Sequence, residues 1–320
     1  MVRVHVGRPK KAFLLKYILF VLLLFLPLYA DVINYKITPN NGLHVNNQKI
    51  KILDSKFLYF KNKNDVPFHE ISDLAYKNNI LYFVSDEGYL YKFFLLIKNQ
   101  KINILQYLNA YTLKNKKMHK LKKKKSDSEG LAFYKDALLI SFERKHRISL
   151  YSKKAVKIKK VKIHHDLQNK NNYVSKNKGL EAVSFNAKYG VITAPELPLK
   201  NQDNHYHILY TCKKVFKFMA DGNIVGLEFM NKDDILVLLR EFNYITRRRV
   251  TSLVQVGLNH CNKKRICQSR VLAKLDSNDG WHLDNFEGLT KVDKNQYLIV
   301  SDDNDNFLQK TLLVLFEIKD

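Results

Sequence analysis

The sequence predicts an all-β protein, a single six-bladed β-propeller preceded by an N-terminal signal helix, and three observations carry that expectation. Units of strand, turn and strand recur along the chain at a spacing that suits propeller blades. Aromatic residues make up 12% of the 320 residues, with 18 Tyr and 19 Phe, and β-branched residues are frequent, which favours strands. Gly and Pro number only 11 and 6, so no flexible linker divides the repeat. A hydrophobic fraction of 46% also excludes a disordered chain.

Residues 1–30 read as a signal peptide and residues 31–320 as the folded domain. Arg3, Arg8, Lys10, Lys11 and Lys16 form a positive stretch, and an uncharged apolar run follows from Tyr17 to Leu26. Ten apolar residues are too few to span a bilayer as a helix. Ala30 before Asp31 suits signal-peptidase cleavage, which places the mature chain in the periplasm or outside the cell. Cleavage would remove five of the positive charges behind the net +25 and leave +20. No later segment is apolar enough to span a membrane, and a monomer is expected.

The repeat begins with Ser72-Asp73-Leu74 and the run Ile80–Ser85. It continues with Ser128-Glu129-Gly130-Leu131 before Ala137–Phe142, and Lys178-Gly179-Leu180-Glu181 before Gly190–Pro195. Val225-Gly226-Leu227-Glu228 before Ile235–Leu239, and Phe286-Glu287-Gly288-Leu289 before Tyr297–Val300, complete it. Aligned on Leu74, Leu131, Leu180, Leu227 and Leu289, the intervals are 57, 49, 47 and 62 residues. Each unit leads into further strands: Tyr89–Ile97, Ile148–Tyr151, His205–Tyr210, Thr251–Val256 and Leu312–Ile318. The remaining length leaves room for a sixth blade, and Ile50–Phe60 is expected to pair with the C-terminal strands and close the ring.

Three cysteines permit one intramolecular bridge. Cys261 and Cys267 flank a basic turn between two strand-like runs and are the expected pair, leaving Cys212 free. No Cys-x-x-Cys pair marks a zinc site, and His164-His165 and His205/His207 read as exposed. Lysine is concentrated in Lys114–Lys125 and Lys153–Lys162, and Arg247-Arg248-Arg249 form a further basic cluster. These runs lack interleaved aromatics, so nucleic acid is not an expected partner. Anionic lipid headgroups or another envelope polyanion remain open partners for them, beside a merely solvated basic surface, and an anionic small-molecule ester is the partner expected at the recurrent acids. No Gly-x-Ser-x-Gly elbow or phosphate-binding P-loop occurs. Asp302-Asp303-Asn304 opens like a calcium loop, but Phe307 and Leu313 replace the Gly and Glu that an EF-hand requires.

The acids carry the site expectation. Asp73, Glu129, Glu181, Glu228 and Glu287 lie beside the Gly-Leu step, and Asp86, Glu143, Glu196, Glu241 and Asp302 follow the next strand. Equivalent repeat positions converge on a propeller axis, where carboxylates repel unless a cation neutralises them. Asp73, Glu129, Glu181, Glu228, Glu287 and Asp302 are therefore candidate ligands for Ca²⁺, a metal that favours oxygen donors. Glu129 and Glu287 are candidate general bases, and Arg144 and Arg240 candidate anion-neutralising groups. In the competing reading, the arginines make internal ion pairs and the protein is a non-catalytic binding propeller. Relative to the leucines, the acids stand at −2, −1 or +1, which requires a bulge if they are to share one face.

Ser128–Ala132, Ser141–Arg144, Leu238–Phe242, Asn285–Thr290 and Leu298–Asn304 resemble the phytase-like family, also described as having the "esterase-like activity of phytase". The resemblance spans roughly residues 66–318. It implies an exported propeller and points to hydrolysis of phosphate or other esters. Lys178-Gly179-Leu180 departs from the family pattern in lacking the acid before glycine, and the lysine-rich insert at 114–125 is unusual.

Overall fold

The computed structural model describes residues 31–40 and 48–319. The expected signal helix at 1–30 lies outside the described residues. Within them the chain is built from strands joined by tight turns and by longer loops that carry single helical turns, and no helix is long and apolar enough to cross a membrane.

The first two strands, β1 (Val32–Asn34) and β2 (Ile50–Leu58), belong to the last blade. The first blade in sequence is β3 (Ile71–Lys77), β4 (Ile80–Ser85), β5 (Tyr89–Lys98) and β6 (Lys101–Thr112). The second is β7 (Ser128–Tyr134), β8 (Ala137–Phe142), β9 (Arg147–Tyr151) and β10 (Lys157–Val161). The third is β11 (Leu180–Asn186), β12 (Gly190–Pro195), β13 (His207–Tyr210) and β14 (Val215–Phe218). The fourth is β15 (Asn223–Phe229), β16 (Asp234–Phe242), β17 (Arg249–Cys261) and β18 (Cys267–Asp276). β19 (Asn285–Lys291), β20 (Gln296–Asp302) and β21 (Thr311–Ile318) begin the fifth, which β2 and β1 complete. Adjacent strands within a blade are antiparallel.

The propeller thus has five blades, not six. Ile50–Leu58 does pair with the C-terminal strand, from Ile50 opposite Ile318 to Leu58 opposite Thr311, but as the fourth strand of the fifth blade. That pairing ties the two ends of the domain together and closes the ring. The strands β3, β7, β11, β15 and β19 neighbour one another around the axis, with β19 returning to β3.

Apolar layers fill the spaces between blades. One contains Leu74, Phe83, Tyr91 and Phe93 with Leu298 and Leu313, and so joins the first blade to the fifth. Another joins Ala182, Ile192 and Leu209 to Leu227, Val237 and Val254. Two glycines permit the inner strands to approach: a Cβ on Gly130 would lie 2.7 Å from the Glu181 carbonyl oxygen, and one on Gly288 2.7 Å from the Asp73 Cα. Cys261 and Cys267 face each other across β17 and β18 and are joined by a disulfide, with Cys212 free.

Candidate functional site

Each inner strand starts with a shift of register against its neighbour. The shifts fall between Ile71 and Asp73, Ser128 and Leu131, Leu180 and Ala182, Ile224 and Gly226, and Phe286 and Gly288. A bulge inserts an extra residue and re-aims its side chain. The inserted positions are Ser72, Glu129, Glu181, Val225 and Glu287. Three of the five blades therefore place a glutamate at the same angular position of one channel mouth.

The same register corrects the sequence alignment. The third-blade equivalent of Leu131 is Val183, not Leu180, so Glu181 stands two residues before it, as Glu129 does before Leu131. Following the second strand of each blade past this register gives Asp86, Glu143, Glu196, Arg240 and Asp302. The fourth blade contributes Arg240 there instead of Glu241, whose carboxylate lies 3.6 Å from the Lys274 ammonium.

Arg240 neutralises part of the cluster. Its guanidinium donates to Glu287 and to the Asn285 side-chain oxygen, and lies 3.8 Å from Glu196. Glu196 also pairs with Lys178 at 2.6 Å and accepts from the Asn223 amide at 2.7 Å. Arg144 pairs with Asp127 at 3.0 Å. Among the described residues, Glu129, Glu143 and Glu181 have no ion-pair partner.

Those three acids belong to two overlapping sets, Asp127–Glu129–Glu143 and Glu143–Glu181–Glu196. In each set one oxygen per residue lies within 4.8 Å of the others. Burial, and then the charges of Glu181 and Glu143, push Glu129 well above the usual carboxylate range. Glu181 is pushed up in the same way by burial and by Glu196. Burial and Asp127 raise Glu143 to about 7. Farther round the mouth, burial and Glu287 raise Asp302 to about 9, while burial and Glu70 raise Asp86 to about 8.

An all-oxygen donor set that repels itself in a partly dry pocket fits a hard divalent cation. Asp127, Glu129 and Glu143, or Glu143, Glu181 and Glu196, are the residues that could hold one.

Glu129, Glu181, Glu287 and Asp302 of the predicted ligands thus gather at one mouth, although Glu287 is occupied by Arg240. Two others do not join them. Asp73 is buried and accepts the backbone N–H groups of Leu74 (2.8 Å), Leu131 (2.6 Å) and Leu289 (3.0 Å), a latch across three blades. Glu228 lies on the far side of the bulge and accepts from Phe229 N–H at 2.9 Å and from Lys291 N–H and the Thr290 hydroxyl, each at 3.4 Å. Asp127, which precedes the repeated acid-glycine step, is not among the sequence-predicted acids, whereas Glu143 and Glu196 belong to the strand-end acids expected to converge on the axis. His164 and His207, expected at the surface, are buried.

Beside the mouth opens a cleft of about 890 Å³ whose lining includes Lys124, Arg144, Arg147, Lys170 and Lys176 and contains no carboxylate. His146 lines it, stacked 3.6 Å from the Tyr173 ring, and burial lowers its pKa to about 4, so the imidazole is neutral. Gly179 connects cleft and acids: its N–H donates to Glu143 at 3.3 Å, and a Cβ there would strike the His146 ring.

Residues 66–305 match the family described as "Phytase-like: Esterase-like activity of phytase", and the chain belongs to that family. No curated protein matches the sequence. Three solved structures share the similarity at low identity. "Crystal Structure of Mitotic Checkpoint Complex" is 10% identical with a TM-score of 0.38, covering 78% of this chain and 62% of that one, so this chain spans less than two thirds of its length. "Structure of U3-55K" is 7% identical with a TM-score of 0.40, covering 83% and 98%. "Crystal structure of Myxococcus xanthus Glutaminyl Cyclase" is 9% identical with a TM-score of 0.46, covering 85% and 97%.

Proposed function

We propose that the protein is an exported, metal-assisted hydrolase of anionic esters, phosphate esters foremost, working at the five-bladed channel mouth. One observation carries the reading: among the described residues Glu129, Glu143 and Glu181 have no ion-pair partner, yet Glu129 and Glu143 crowd against Asp127, and Glu143 and Glu181 against Glu196. Buried charge of one sign calls for a counter-ion or for protonation. Ca²⁺ suits this set of oxygen donors. When bound, the ion would supply Lewis-acid polarisation of the ester and charge stabilisation at its oxygens.

The chain's own residues divide the remaining work. Arg144 lies on both sides of the boundary, paired to Asp127 and lining the basic cleft, so it can draw the anionic end of a substrate towards the acids. Arg240 holds Glu287 and Glu196 in place. Glu129 is the remaining candidate for orienting water, since Glu287, the other predicted base, is bound to Arg240.

Export and maturation near Asp31 accompany this reading, with a periplasmic or secreted monomer as the working form. The test is hydrolysis of aryl phosphates and aryl acetates by purified protein after chelation, before and after Ca²⁺ is restored. Calcium-dependent phosphate release that disappears in Glu129→Gln is the expected result. Calcium binding with neither ester cleaved would leave a binding propeller. Cleavage indifferent to chelation would remove the metal from the proposal.

A further inference from the structure

We infer that the lysine-rich outer face of the second blade is a docking surface for an anionic phospholipid bilayer. Between residues 114 and 176 stand 20 Lys and Arg against 5 Asp and Glu. Three of those acids, Asp127, Glu129 and Glu143, belong to the channel mouth. The surface outside the mouth is therefore almost purely cationic.

The two lysine runs form one face in space. β10 pairs with β9 alone and is the outermost strand of its blade. The preceding loop lies along its start: Lys114 N–H donates to the Ala155 carbonyl at 2.8 Å, and Lys157 N–H to the Lys114 carbonyl at 3.0 Å. Lys116, Lys117, Lys120, Lys159, Lys160 and Lys162 are exposed. Burial and then repulsion from Arg147, Lys160 and Lys116 lower the pKa of Lys157, which places charges from the loop, β9 and β10 beside one another.

Lysines on a free edge strand can serve only to prevent strand pairing. This face adds apolar side chains that such a role does not need. Met118, Ile158 and Val174 are 56%, 43% and 48% exposed, and each stands among lysines. Met118 sits at a turn tip with φ 63°, where the Asn115 side chain accepts the N–H groups of Lys117 (2.8 Å) and His119 (3.1 Å). Aliphatic tips surrounded by ammonium groups suit the boundary between headgroup and acyl chain. Single-stranded nucleic acid would call for exposed aromatic platforms. The large hydrophobics exposed in this segment include none, and Tyr173 is buried against His146.

The inference does not depend on catalysis at the mouth. Its test is co-sedimentation of the full chain with vesicles of phosphatidylcholine alone, or with one third phosphatidylglycerol. Binding to the anionic vesicles should be at least tenfold tighter and should vanish at high salt. Lys116→Glu, Lys120→Glu, Lys159→Glu and Lys160→Glu together should weaken it at least tenfold with the melting temperature unchanged. Met118→Ser with Ile158→Ser should weaken it several-fold and leave the salt dependence intact. Equal, salt-insensitive binding to both vesicles would overturn the inference and assign the affinity to the apolar stretch at Tyr17–Leu26. Insensitivity to charge reversal, or no binding at all, would overturn it too. So would tight binding of soluble polyphosphate that ignores Met118 and Ile158, the mark of a soluble polyanion as partner.

Discussion

Replacing Glu143 by Gln should change the protein's stability in opposite directions with and without calcium. Glu143 is common to both candidate ligand sets. Its carboxyl rises from 4.5 to about 7 through burial and the neighbouring Asp127. An acid whose folded-state pKa exceeds its unfolded value contributes stability that is full below the unfolded pKa and is lost as pH rises through the folded one. The loss for Glu143 therefore runs from about pH 4.5 to 7. At 1.36 kcal/mol per unit the ionised form carries roughly 3 kcal/mol of strain by pH 8.

Glutamine carries no charge and keeps an oxygen for the Gly179 N–H, now 3.3 Å from Glu143. In chelator at pH 8, Glu143→Gln should accordingly melt higher than the parent chain by up to about 5 °C for a domain of this size. At pH 4.5, where the parent carboxyl is protonated, the gap should close. With calcium present, the parent chain gains stability by mass action, about 4.1 kcal/mol at a thousandfold excess over Kd, which exceeds the roughly 3 kcal/mol that the variant gains in chelator. The variant should lose most of that gain, which reverses the order at pH 8. Scanning calorimetry at both pH values, in chelator and in calcium, reads all four states. A variant that melts below the parent at pH 8 in chelator would refute the electrostatic reasoning. Equal calcium gains in both proteins would refute Glu143 as a ligand.

Two further outcomes separate ligands from supports. Arg240→Met should cost about 3–5 kcal/mol by leaving Glu287 and Glu196 without their shared guanidinium. Acidification should recover part of that loss, because Glu287 is already pushed up by burial and would then protonate; thermal melts at pH 5 and 8 measure it. Asp73→Asn should cost about 1–3 kcal/mol in chemical denaturation, since one amide oxygen cannot accept three N–H groups as a carboxylate does. It should leave the calcium-induced rise in melting temperature intact, whereas a lost rise would restore Asp73 to the ligand set.

The fold was largely legible because a blade is a local object: alternating apolar strands and short turns repeat in sequence as they do in space. The blade count was not, because dividing length by repeat interval cannot show that Ile50–Leu58 joins β21 across more than 250 residues. The site was legible in kind and blurred in detail for a different reason. Leucine alignment measures distance along the chain, whereas the mouth is organised by hydrogen-bond register, and each inner strand breaks register just before its apolar core begins. Counted from the bulge, Glu129, Glu181 and Glu287 are one position, while Asp73 and Glu228 are others. That explains why two acids close to the Gly-Leu step serve the backbone instead. The same count turns Arg240 from a neighbour of the acid series into its fourth member. Four carboxylates and one guanidinium then share a ring, above three bulged glutamates, and Arg240 with Lys178 cannot neutralise both tiers. The excess negative charge in a chain of net +25 is a local product of register, invisible to composition. It is the reason to seek a cation where Glu129, Glu143 and Glu181 crowd together rather than at the acid run that stands out in the sequence, Asp302–Asp305, of which only Asp302 faces the mouth.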